Sequence, residues 1–166
     1  LGDVYKRQRL QEPAGIALPF KEGELKTADR IAITQNGRKC MVQPKVTSKH
    51  ADGSIRYLYV DFLADIPANK GAVLEFEKES DGKCEEKGVS VTQTGQGLCV
   101  DTGCVTFTVK NNSQNIFETL DDGRKHYTAQ NFEGPYLKDD MGLYDINIGE
   151  WKIIDAGPVK CVIRAK

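Results

Sequence analysis

Ile55-Arg56-Tyr57-Leu58-Tyr59-Val60-Asp61-Phe62 decides the fold. Alternate residues of an extended chain point to opposite faces, so Leu58, Val60 and Phe62 share one face and Tyr57, Tyr59 and Asp61 the other. Large side chains on both faces mark a central strand, covered on at least one side. Asp52-Gly53 turns the chain just ahead of it, and 66–71, with Pro67 and Gly71, connects onward. The same period of two recurs on both sides. Residues 31–33 lead into Asn36-Gly37, a hairpin turn signal because both residues tolerate positive φ. Residues 40–47 follow as an extended segment whose Pro44 lacks a donor, which predicts an edge or a bulge. In 72–77, Leu74 and Phe76 point inward and Glu75 and Glu77 outward.

Further along, 78–87 is charged and nearly without apolar residues, and reads as a linker. A long polar hairpin is the competing reading. Strand patterns resume at 88–91 and 98–101, and Val105, Phe107 and Val109 alternate with Thr106 and Thr108. A short strand at 116–120 turns at Asp122-Gly123. Residues 131–142 read as irregular. A final hairpin is expected from 151–154 and 159–163 across Asp155-Ala156-Gly157-Pro158. The best helical candidate, 121–130, is interrupted by Gly123, and no segment carries a capped 3.6-residue apolar stripe. The expected fold is all-β, barrel or sandwich in type.

Composition narrows the function. The chain has 166 residues, with 23 Lys and Arg against 24 Asp and Glu, a formal net charge of -1. No basic excess exists to neutralise a phosphate backbone, so nucleic acid is not an expected partner. No apolar run approaches the ~20 residues of a membrane helix. The opening Leu1-Gly2-Asp3-Val4-Tyr5-Lys6-Arg7-Gln8 fits neither a signal peptide nor a strand and reads as translated adapter sequence. Residues 1–11 are therefore set aside as a non-native leader. Residues 159–166 alternate as a strand with no turn after them, which reads as a chain cut inside a strand.

Chemical motifs are sparse. The phosphate-binding G-x-x-x-x-G-K-[ST], the esterase G-x-S-x-G and the metalloprotease H-E-x-x-H strings do not occur. Five Cys (40, 84, 99, 104 and 161) form no C-x-x-C pair and, with only His50 and His126, no zinc spacing. Buried thiols are the expected state, with a local Cys99–Cys104 disulfide as an alternative. His126 stands beside Arg124, Lys125 and Tyr127. A lyase needs a base and a cation to take a proton α to a carboxylate, but a turn followed by charges is more often a solvated hairpin. His50, just ahead of a turn, reads as a surface residue. Asp139, Asp140 and Asp145 offer oxygen ligands without an EF-hand spacing, so exposed loop carboxylates are preferred. Asn111 heads an N-x-S sequon. Tyr57, Tyr59, Tyr136, Tyr144 and Trp151 are candidate sugar-stacking platforms, since a pyranose presents an apolar C–H face. Aromatics on strands are more often core. Trp151, between Glu150 and Lys152 after a glycine, ranks first as a substrate-binding residue. No catalytic residue, metal ligand, cofactor or compartment is assigned.

One set of residues is more specific. Gly15-Ile16-Ala17-Leu18-Pro19-Phe20-Lys21-Glu22-Gly23-Glu24-Leu25, then Val42-Gln43, then Asp52-Gly53-Ser54-Ile55-Arg56-Tyr57-Leu58 resembles the N-terminal domain of the exo-rhamnogalacturonan lyase and YetA-like family. That domain carries a G-[VI]-P-F-x-x-G-x-L opening, a V-x-x-Q strand and a D-G-S-[VI]-[RK]-W-L hairpin. Here Tyr57 stands in place of the Trp, and Ala17-Leu18 adds a residue to the opening. The resemblance implies a RIFT-type β-barrel over 12–77 and the first strands of a β-sandwich over 88–166. It also implies a non-catalytic scaffold in a polysaccharide lyase-like protein, with a pectic glycan as partner. A carbohydrate-binding module and a structural or interaction module remain the alternatives.

Overall fold

The computed structural model describes residues 8–80, 84 and 87–166. The protein is all-β, built from several small antiparallel sheets, and its one helical element among the described residues is a single 3-10 turn at Ala129–Asn131. The chain divides into two compact units, Leu1–Glu86 and Lys87–Lys166.

The first unit contains strands β1 (Arg9–Pro19), β2 (Ala32–Gln35), β3 (Arg38–Lys39), β4 (Val42–Lys49), β5 (Ile55–Ile66) and β6 (Glu75–Glu77). They form two three-stranded sheets, ordered β1-β5-β4 and β3-β2-β6. β5 is the middle strand of the first sheet and contains the 55–62 segment. Its Leu58, Val60, Phe62 and Ala64 are buried against Ile31 and Ile33 of the second sheet's side, with Leu25 and Ile55. Burying each of these side chains other than Ala64 stabilises the unit by about 1.5–3 kcal/mol. Asn36 and Gly37 both take positive φ (53° and 76°), as a two-residue hairpin turn between β2 and β3 requires. Pro44 lies on β4, an edge of its sheet.

Two boundaries differ from the sequence reading. β1 begins at Arg9, inside the stretch set aside as a leader, and Arg9 pairs with Ile66. Residues 1–7 of that leader lie outside the described residues. Lys78 to Ser80, placed in the linker, are tied down: Lys78 pairs with Glu24, and the buried Ser80 donates its N–H to the Arg30 carbonyl at 2.7 Å. Residues 81–83, 85 and 86 of the linker lie outside the described residues.

The second unit contains β7 (Ser90–Gln93), β8 (Gly97–Asp101), β9 (Thr106–Lys110), β10 (Thr119–Asp121), β11 (His126–Thr128), β12 (Tyr136–Asp139), β13 (Gly142–Asp145), β14 (Trp151–Ala156) and β15 (Cys161–Ala165). β7 to β11 make a five-stranded meander, and β12-β13 and β14-β15 are separate hairpins. Leu98, Val109, Ile148 and Trp151 form the core, with Val91, Phe107, Phe117 and Ile163 packed on it. Gly97 faces Lys110 so closely that a Cβ there would overlap the Val109 carbonyl oxygen. The helical candidate at 121–130 is a hairpin instead. Gly123 takes φ 77°, and Asp122 Oδ1 accepts from the N–H groups of Arg124 and Lys125 at 2.9 and 2.7 Å. The segment read as irregular, 131–142, holds β12 and the start of β13.

Candidate functional site

The Asp52-Gly53-Ser54 turn between β4 and β5 is locked by hydrogen bonds. Asp52 Oδ1 accepts from both the N–H and the hydroxyl of Ser54, at 2.9 and 2.6 Å. These bonds hold the Asp52 carboxyl below the usual carboxylate range, the hydroxyl first and the backbone N–H next. Ser54 Oγ in turn accepts the Gly23 N–H at 2.9 Å. Ile55 N–H donates to the Leu25 carbonyl at 2.7 Å and Phe20 N–H to the Arg56 carbonyl at 2.9 Å. His50 is structural: its Nε2 lies 3.0 Å from the Phe20 carbonyl oxygen. The loop from Lys21 to Leu25 is thereby fixed, with Gly23 at φ 76°.

Beside this loop lies a cavity of about 400 Å³, lined by residues of the 23–30 stretch and by Lys78 and Glu79. Its size falls within the range of small-molecule sites. Glu24 is fully engaged: one oxygen pairs with Lys78 and the other accepts the Lys21 N–H at 2.8 Å. The Lys78 hydrogen bond is the main cause of its lowered pKa. Leu25 is buried, and Lys26 and Arg30 are exposed.

A second feature is the face of the β1-β5-β4 sheet that points away from the core. Register places Gly15, Asp61 and Gln43 in one row and Ala17, Tyr59 and Lys45 in the next. Asp61 and Gln43 are only 8% and 7% exposed. A Cβ at position 15 would overlap the Tyr59 hydroxyl, so the tyrosine lies over the strand where glycine leaves room. Tyr57, 43% exposed, completes this face, with the Arg56 guanidinium 5.6 Å from its ring centre.

Trp151 stands elsewhere. It is 8% exposed and belongs to the second core. Its N–H donates to Asn111 Oδ1 at 2.9 Å and its indole Nε1–H to the Lys110 carbonyl at 3.2 Å. A ring packed in this way has no face for a pyranose, so the ranking of Trp151 as a platform is corrected; Tyr57 has the exposure it lacks, and Tyr59 is half-buried. The flanking Glu150 and Lys152 are exposed and pair with each other at 3.3 Å while the indole between them is buried. Asn111, head of the sequon, is used by the same contact.

The remaining candidates stay apart. His126 is exposed, with Nδ1 3.5 Å from Asp121 Oδ2, in the solvated hairpin. Lys125 covers the Tyr127 ring at 4.7 Å. Asp139 Oδ1 caps its own turn, accepting from Met141 and Gly142 N–H at 2.8 and 3.0 Å. Among the described residues no group of three or more His, Cys, Asp or Glu is placed to hold a metal. All five cysteines are free thiols, Cys99 and Cys104 included. Burial, then Asp155, pushes the Cys161 thiol up. No helix among the described residues is long and apolar enough to cross a membrane.

No protein-family model matches the chain, and no curated protein matches it at a significant level.

Proposed function

We propose that this chain is a non-catalytic β-scaffold of a polysaccharide lyase-like protein acting on pectic, rhamnogalacturonan-type glycans. In this reading 12–77 is a RIFT-type barrel and 88–166 the start of a β-sandwich. The observation that carries it is the interlocking of the residues behind the family resemblance. Residues 15–19 of the opening run antiparallel to β5, Gly15 opposite Asp61 and Pro19 opposite Tyr57. Its loop is tied to Ser54 through Gly23 and to Ile55 through Leu25. Motif residues that bond one another account for why they occur together, as scaffold rather than as reacting groups.

Affinity electrophoresis tests the reading. Rhamnogalacturonan in the gel is expected to retard the chain more than a neutral glucan, and the mixture is expected to gain no ultraviolet absorbance from unsaturated product. Product formation by this chain overturns the non-catalytic role, and equal mobility in all gels overturns the pectic partner.

A second reading, a carbohydrate-binding module, is favoured by the exposed Tyr57, with the half-buried Tyr59 beside it on the same sheet face. It expects Tyr57→Ala with Tyr59→Ala to abolish retardation, whereas the scaffold reading expects retardation to persist.

A further inference from the structure

We propose that a second, smaller cavity, beside the β2-β3 turn, binds the vicinal diol of a sugar ring. The inference goes beyond the pectic reading and stands on the cavity's own hydrogen-bonding groups. The cavity measures about 160 Å³, and its lining includes Gln11, Gln35, Asn36, Arg38 and Asp65. Its polar groups hold one another in place. Gln35 Nε2–H donates to the Asp65 carbonyl at 2.6 Å, and the Asp65 N–H donates back to Gln35 Oε1 at 2.9 Å. Asp65 Oδ1 accepts from the Gln11 N–H at 2.9 Å and from Gln11 Nε2–H at 3.4 Å. Gln11 takes φ 52°, a conformation uncommon outside glycine, within the register break between Arg9 and Glu12. Bulges and backbone strain of this kind gather at binding sites, where their surroundings hold them. The wall is therefore preorganised. Its capacity for further bonds follows from the groups themselves: a carboxylate accepts through two oxygens, and a guanidinium carries five N–H donors. Both bonds from Gln11 go to Oδ1. A sugar hydroxyl donates and accepts at once. Two neighbouring hydroxyls therefore match this wall, donating to the Asp65 carboxylate and accepting from Arg38 and the Asn36 amide. Charge on Asp65 and Arg38 makes these bonds the strong kind. One charge of each sign suits a neutral ligand better than an ion. Met41, 5% exposed, and the half-buried Leu63 add carbon surface for the C–H groups of the ring.

The test is an amide NMR titration of the whole chain with methyl rhamnoside, a neutral glycoside with a free vicinal diol. Shifts are expected at Gln11, Asn36, Gly37 and Arg38. Its 2,3-O-isopropylidene derivative, in which the diol is blocked, should bind at least about tenfold more weakly, as loss of charge-assisted bonds implies. Arg38→Gln should weaken binding of the free glycoside by a similar factor and keep the parent's thermal midpoint, because Arg38 is exposed on β3. Equal affinity for the free and the blocked glycoside overturns the diol. Binding by Arg38→Gln equal to the parent's overturns the assignment to this cavity. Glycerol shifting the same amides with equal affinity overturns the sugar. No shifts, with retardation on rhamnogalacturonan intact, overturns the cavity alone and leaves the pectic reading. Shifts without that retardation support the cavity and overturn the pectic partner.

Discussion

Trp151 shows how a single residue's surroundings outweigh its neighbours in sequence. Its indole contributes apolar area to the second core and satisfies both its N–H groups within the protein. Truncation removes the packing and leaves the Lys110 carbonyl without that donor. Trp151→Ala is expected to cost about 3–5 kcal/mol in urea unfolding, typical of aromatic-to-alanine changes in cores. Trp151→Phe should cost less, since most of the volume stays. If the alanine variant unfolds at the parent's urea midpoint, the ring is not part of the core. A different residue-scale device governs acid stability. Asp52 has a depressed pKa in the folded chain, so its two bonds from Ser54 stabilise at pH values above the unfolded carboxylate pKa of about 4 and are lost as pH falls through the lower folded value. Asp52→Asn removes this proton linkage. The difference in urea midpoint between parent and variant should be present at neutral pH and shrink in acid. A difference independent of pH would show that the Asp52 charge has no part.

Among the elements, legibility followed alternation. The 55–62 strand declared itself because its core face is wholly apolar, and the Asn36-Gly37 turn because both its residues take positive φ. The β12-β13 hairpin carried no such signal. Tyr136, Leu137, Lys138 and Asp139 are all exposed, and so are Gly142 to Asp145. Where neither face is buried, nothing selects a period of two, and only backbone pairing defines the strands. β1 was legible as a motif but not as a strand, because Pro13 interrupts it, Pro19 ends it and its residues are at most half-buried. The candidate site split in the same way. The charged cavity gathers residues from the 23–30 loop and from 78–79, a proximity no local spacing encodes. The β12-β13 hairpin leaves Leu137, Leu143 and the 89% exposed Met141 in water. Register pairs Leu137 with Tyr144 on one face and Leu143 with Lys138 on the other, so both faces present apolar side chains to water, which favours self-association. Leu137→Ser with Leu143→Thr should lower light scattering at high protein concentration and leave the thermal midpoint unchanged. A large fall in the midpoint would mean that these leucines support the unit's fold.

For the whole molecule, the two units carry separate hydrophobic clusters, one centred on Leu58 and Val60 and the other on Leu98 and Val109. Each cluster draws its residues from its own side of the division at Glu86 and Lys87. Stability then resides in two places, and a lesion in one cluster acts on the hydrogen bonds of the sheets around it. Leu58 and Leu98 are both fully buried, which makes them matched probes. Leu58→Ala and Leu98→Ala should each cost about 2–5 kcal/mol where they act. Residue-resolved hydrogen exchange of the full chain locates that cost. Leu58→Ala is expected to accelerate exchange in β2, β4 and β5 while β8 and β9 keep their protection. Leu98→Ala should give the reverse pattern. Uniform loss of protection across all these strands in either variant would show one cooperative unit and overturn the division of stability between two cores.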